Sequence, residues 1–226
     1  MKVISMSALA PRCGKDELTN LAIMHLEQTH RKSSAQVAFG DALKFETAEA
    51  MFPRSVNMQT LSRLLFVQDK DTPRAYMAIK HLCMSSYKSF LLLAGHDPHV
   101  PRSPRWHLQQ YGTEFVRVYQ NKPNYWIDQV TDKIEKLHDR DFVFITDTRF
   151  SPEFLMARKD YGAYMVHINP IGFPSDHWGP LGIHQHLDNK NESALVDYVY
   201  DLRLNNVYDL AEASAHYLVA NILKGY

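Results

Sequence analysis

The chain has 226 residues, 45% hydrophobic and 22% charged, enough to bury a full core in one domain or in one domain with a sizeable insertion, and too apolar for disorder. Lysine plus arginine balance aspartate plus glutamate at 25 each, so no global positive field recruits nucleic acid or an anionic membrane, although local basic clusters can still bind phosphate. The two cysteines, Cys13 and Cys83, are too distant in sequence to suggest a disulfide framework, the apolar stretch before Ala8-Leu9-Ala10 is too short for a signal peptide, and the run Ser89–Ala94 is far below the ~20 residues of a membrane span, so a soluble cytoplasmic protein is expected.

Val3-Ile4-Ser5-Met6 predicts a buried strand. A loop closing on Gly14-Lys15 follows, and then a helix opened by Asp16-Glu17 and carrying Leu18, Leu21, Ala22 and Leu26. That order suits a phosphate-binding loop, but the pattern G-x-x-x-x-G-K-[ST] would need glycine at Leu9 and a hydroxyl at Asp16. Backbone N–H groups along Pro11, Arg12, Cys13, Gly14, Lys15, Asp16 and Glu17 would cradle a polyphosphate, with Lys15 reaching its outer phosphates. Asp16 would repel those phosphates unless a cation lies between, and Mg²⁺ held directly or through water removes the conflict. The plainer reading is an ordinary loop before a helix whose acidic first turn complements its dipole.

Further strands are predicted at Gln36–Phe39, Phe142–Thr146 and Tyr164–Ile168, with a weaker alternating one at Tyr198–Leu204. Their alternation with helical segments predicts an α/β fold with a parallel sheet, helices on both faces and ligands beyond the carboxyl ends of the strands, near residues 9–15, 40–44 and 147–149. The long helical interval 42–138, broken by Pro53, Pro73 and His99–Pro104, is expected to hold substrate. Within it Arg105, Gln109, Thr113 and Arg117 recur every four residues, and Gly112 lies beside that stripe. A helix-interior glycine costs about 1 kcal/mol against alanine, so either a ligand or a packed helix should approach it. Asp147 could position Mg²⁺ and Arg149 could grip a phosphate in its planar fork; the alternative is a surface pair with Asp147 capping the next turn. Phe39, Trp106, Tyr111 and Trp126 are either base-stacking or core aromatics. Residues 170–192 suit a loop or lid, in which His177, His184 and His186 read as polar loop residues, and no zinc is expected.

As an ordered set, Gly14-Lys15-Asp16, Phe39–Lys44, Leu108–Glu114 with Arg117, Trp126, Thr146–Phe150 with Glu153, and Glu192–Leu195 resemble the bacteriophage deoxynucleoside monophosphate kinases. The resemblance runs from the first strand to the terminal Asn206–Leu210 segment. It implies a P-loop kinase-like three-layer sandwich: core segments 1–44 and 139–226, a helical substrate-binding insertion at about 45–138, and a lid at about 170–192. It further implies ATP- and Mg²⁺-dependent conversion of deoxynucleoside 5′-monophosphates to diphosphates, in host cytoplasm, for deoxynucleotide biosynthesis. By position, Lys15, Asp147 and Arg149 are implied in catalysis, residues 11–17 in ATP binding, and Asp16 and Asp147 in metal binding. Asp41, Lys44, Arg105, Gln109, Gln110, Tyr111, Thr113, Arg117 and Trp126 are implied in holding the acceptor.

The chain departs from the family's pattern at Leu9, at Glu17 where threonine is usual, and at Asn169-Pro170 where a basic residue is usual; Lys190 is the lone lysine or arginine of 170–192. Partners are expected to be small molecules, with no membrane and no nucleic acid, and isologous dimers are common enough to expect one. Two rivals stand beside this expectation. One is a kinase of hydroxymethylated pyrimidine nucleotides or of such bases in DNA, the latter needing a basic groove. The other is a non-catalytic nucleotide-binding protein, against which the retained Lys15, Asp147 and Arg149 speak.

Overall fold

The structure is a computed structural model and describes residues 1–8, 13–53, 70–172, 200–207 and 209–225. In chain order its elements are β1 (Lys2–Ala8), α1 (Lys15–His30), β2 (Ser34–Val37), α2 (Phe39–Met51), α3 (Ser85–Leu93), α4 (Pro104–Gln109), a π-helix (Gln110–Tyr119), α5 (Tyr125–Glu135), β3 (Phe142–Ile145), α6 (Ser151–Tyr161), β4 (Tyr164–Ile171), β5 (Leu202–Val207) and α7 (Ala211–Lys224). The chain is α/β and divides into two compact units, Met1–Phe39 with Val130–Tyr226, and Gly40–Gln129.

The first unit is built on a five-stranded, all-parallel sheet in the order β2-β3-β1-β4-β5. Register pairs Ile4 with Phe144 across β1 and β3, and Met6 with Val166 across β1 and β4. Because side chains alternate along a strand, Ile4, Met6, Phe144 and Val166 share one face. There they pack against Leu18, Ala22 and Leu26 of α1 and Leu218 and Ile222 of α7. Ala22 apart, each such fully buried side chain contributes roughly 1.5–3 kcal/mol. Val3, Val143, Ile145 and Met165, on the opposite face, are equally buried, and α6 packs onto β1. Continuous apolar strands follow from burial on both faces.

This topology has a switch point between β1 and β3. The connection leaving β1 turns to α1 on one face of the sheet. The connection leaving β3 turns to α6, whose Phe154 packs edge-on against Tyr200, a hydrogen-bond partner of Ser7 on the other face. Neighbouring parallel strands whose outgoing connections part in this way leave a ligand-sized opening at their carboxyl ends.

The second unit has its own core, in which Met77, Tyr87, Leu91, Tyr111, Phe115 and Trp126 pack together. His107 is completely buried there. Its Nε2–H donates to the Met77 carbonyl at 2.7 Å, and its Nδ1 faces the Tyr87 hydroxyl at 3.2 Å. Burial pushes the imidazole down to about 4, the Met77 bond opposing that shift and the nearby Arg102 charge adding to it.

Several expected boundaries shift. β2 ends at Val37, and Phe39 opens α2. The last strand is Leu202–Val207, with Tyr200 outside it. The helix expected through residues 105–117 is α4 running into a π-helix, in which Gln120 N–H reaches five residues back to the Phe115 carbonyl at 2.9 Å. Pro170 and Ile171 extend β4, and residues 173–192 of the expected lid, with His177, His184, His186 and Lys190, lie outside the described residues.

Candidate functional site

Of the expected donor loop, Leu9, Pro11 and Arg12 lie outside the described residues, and the turn is described from Cys13 onward. Cys13 is buried in the core of the first unit, and burial pushes its thiol up, so it behaves as a small apolar anchor rather than a nucleophile. Gly14 caps α1 with φ 70° and ψ 12°, the left-handed region where a side chain would be strained. Gly14 has no side chain with which to cap α1, so among the described residues the N–H groups of the first turn and the positive end of the helix dipole are the local electrostatic feature. Thr19, fully buried, donates to the Lys15 carbonyl at 2.8 Å and ties down the first turn.

The Lys15 side chain is 15% exposed, while that of Asp16 is 82% exposed, and the two meet at 2.8 Å. A neighbouring carboxylate on the surface holds an ammonium only weakly, so this pair leaves Lys15 able to exchange Asp16 for another anion. Glu17 is also exposed, in the same acidic first turn.

Asp147, Thr148 and Arg149 follow β3 at the same edge of the sheet. Asp147 Oδ1 accepts the Phe39 N–H at 2.7 Å and so caps α2. Thr148 is buried, its N–H bonded to the Met6 carbonyl at 3.2 Å and its hydroxyl 2.8 Å from that of Ser5. These bonds fasten the turn to β1. Arg149 is exposed, and its backbone is held by Glu153, a carboxylate only 3% exposed whose Oε2 accepts the N–H groups of Arg149 at 2.8 Å and Phe150 at 3.1 Å. The turn is rigid while the guanidinium it carries is not buried, an arrangement suited to gripping an anion.

Beside the turn lies a polar group that sequence reasoning missed. Ser7 and His167, register partners on β1 and β4, are each 5% exposed. The Ser7 hydroxyl lies 3.0 Å from His167 Nδ1 and 2.7 Å from the Tyr200 hydroxyl, whose phenol burial pushes up to about 12. The signal was present: serine and histidine interrupt strands otherwise buried and apolar on both faces.

The acceptor candidates belong to the second unit. Asp41 and Lys44 form a pair at 3.5 Å on α2. Arg105 donates to Asp71 in a two-point pair along one edge of its guanidinium, from Nε at 2.5 Å and from a terminal nitrogen at 3.2 Å. Gln109 and Thr113 are exposed, and Gln110 and Arg117 are half-buried. Tyr111 is 5% exposed; burial, then the Glu46 charge, pushes its phenol well up. Trp126 is 2% exposed and donates its indole N–H to the Gly112 carbonyl at 3.1 Å, so its ring is part of the core. A Cβ on Gly112 would come within 2.8 Å of Leu43, so the neighbour that approaches this glycine is a side chain of α2.

Among the described residues no three histidines, cysteines or carboxylates converge as a metal cage. Mg²⁺ accompanying a polyphosphate needs only one or two carboxylates, because phosphate and water supply its other ligands. Asp16 and Asp147, at the carboxyl edge of the sheet, fit that requirement. No family model matches the chain, and no curated protein matches it.

Proposed function

We propose that the chain is an ATP-dependent kinase of deoxynucleoside 5′-monophosphates, with a P-loop type of donor site in the first unit. One observation carries the reading: β1 and β3 are neighbours in a parallel sheet, β1 is followed by α1 with Gly14-Lys15 at its start and β3 by Asp147-Thr148-Arg149, and the two connections part to opposite faces. These segments combine a helix N-terminus, a lysine, an exposed arginine and two carboxylates. Phosphoryl transfer asks for little more than alignment and cationic stabilisation of oxygens.

In this reading the α1 N-terminus and Lys15 hold the donor phosphates, and Arg149 stabilises charge that develops on the transferred group. Asp16 and Asp147 would hold Mg²⁺, which when bound neutralises phosphate charge. No general base is required, since a monophosphate's attacking oxygen is already anionic at neutral pH. Arg105, Gln109, Gln110, Thr113 and Arg117, along one helical run, are the residues proposed to meet the acceptor.

A polynucleotide acceptor is the second reading. Residues 70–107 carry six lysines and arginines against two aspartates and no glutamate, a local excess that the neutral total conceals. Incubation with ATP, Mg²⁺ and each of the four common deoxynucleoside monophosphates, alongside hydroxymethylated ones and duplex DNA, separates the readings. Diphosphate formed from at least one monophosphate supports the main proposal. Turnover on DNA alone transfers it to the second, and nucleotide binding without any turnover contradicts both.

A further inference from the structure

Along β5, Leu202 and Leu204 face the core, and the period of two brings Asn206 inward after them, 1% exposed, where a third apolar residue would continue the pattern. Its Nδ2–H donates to the carbonyl of Cys13 at 2.9 Å, a bond between residues 193 apart in sequence. Its Oδ1 is buried and has no hydrogen-bond partner among the described residues. A buried amide satisfied at only one end is costly, so packing does not account for its presence.

The Cys13 carbonyl and the Gly14 N–H belong to one peptide group. The chain has no cis peptide bonds among the described residues, and in a planar trans peptide these two bonds point in opposite directions. Drawing the carbonyl inward onto Asn206 therefore turns the Gly14 N–H away from the core. Among the described residues nothing accepts that N–H. Gly14 is the cap of α1, so the N–H so directed adds to the donors at the helix N-terminus.

Resting on the kinase reading, we infer that Asn206 is a positioning residue for the donor site: by holding the Cys13 carbonyl it aims the Gly14 N–H at a nucleotide phosphate. It touches no substrate itself. Removing the amide lets the Cys13–Gly14 peptide rotate, weakening the grip on phosphate while leaving the sheet, α1 and the acceptor residues as they are.

The test is calorimetric titration of MgATP into the full chain and into Asn206→Ala and Asn206→Asp, each shown by circular dichroism to be folded. Asn206→Ala is expected to weaken MgATP binding at least tenfold and to raise the KM for ATP more than it lowers kcat. Asn206→Asp carries the second readout. Ionised, it repels the Cys13 carbonyl; protonated, it donates to that carbonyl as the amide does. Its affinity relative to the unsubstituted chain, compared at pH 8 and pH 5.5, should recover as pH falls, whereas that of Asn206→Ala should not. Both variants binding MgATP as tightly as the unsubstituted chain at each pH would overturn the inference and leave the kinase reading standing. An unsubstituted chain that binds no MgATP overturns that reading, and this inference with it.

Discussion

Lys15 and Glu153 show how single side chains decide what this sheet edge can do. Lys15 is mostly covered along its stem, and among the described residues its ammonium pairs with an exposed aspartate, so its removal should cost little stability. Lys15→Ala is expected to lower kcat for phosphoryl transfer at least a hundredfold, with the unfolding midpoint in urea unchanged; near-normal turnover would remove Lys15 from the donor site. Glu153 works the other way. Its buried carboxylate accepts two backbone N–H groups, and Glu153→Ala would strand both. A loss of about 2–3 kcal/mol is expected for the alanine variant in urea unfolding. Glu153→Gln keeps one oxygen acceptor and should recover most of that loss, together with any activity that falls because the Arg149 turn has moved. Equal losses in the two variants would contradict the assigned role.

At the scale of elements, what was legible in the sequence followed from local apolar runs, and what was not came from distant partners. β1, β3 and β4 were readable because both faces of a parallel sheet are buried, so each strand is a nearly unbroken apolar run. The end of β2 was not, because Phe39 joins α2 on account of an Asp147 carboxylate 108 residues away. The last strand was displaced because Asn206, a polar residue on the core side, concealed the alternation begun by Leu202 and Leu204. Gly14-Lys15 and Asp147–Arg149 could be found from their positions after apolar strands. Glu153 was legible only as part of a motif, and the bond from Asn206 to Cys13 not at all.

The π-helix was hidden for a related reason: a stripe every four residues is compatible with either winding. Gly112 in that helix gives a prediction with a sign. Alanine there meets the terminal methyl of Leu43 at 2.8 Å, so Leu43 must give up packing against the second core to make room, a loss that should outweigh the gain in helix propensity. Gly112→Ala is expected to destabilise by about 1 kcal/mol. In a Leu43→Ala background the same substitution should stabilise by up to about 1 kcal/mol. Destabilisation of the same size in both backgrounds would show that Leu43 is not the neighbour that requires glycine.

At the scale of the whole molecule, acid stability reports on the buried His107. Its folded value near 4 lies below its ordinary 6.5, so the unfolded chain takes up the proton first. The stability it confers is fully present above pH 6.5 and is lost as pH falls from there through about 4. About 3 kcal/mol should disappear over that window. His107→Gln, which retains a donor for the Met77 carbonyl, should flatten the dependence between those limits; an unchanged slope would place the sensitivity elsewhere. No helix among the described residues is long and apolar enough to cross a membrane. The most direct test of the account is amide hydrogen exchange of the full chain with and without MgATP. Protection is expected at the start of α1, Gly14 to Thr19, and in the turn Asp147 to Phe150. Saturating nucleotide that leaves both segments exchanging as before would contradict the claim that this edge of the sheet holds the donor phosphates.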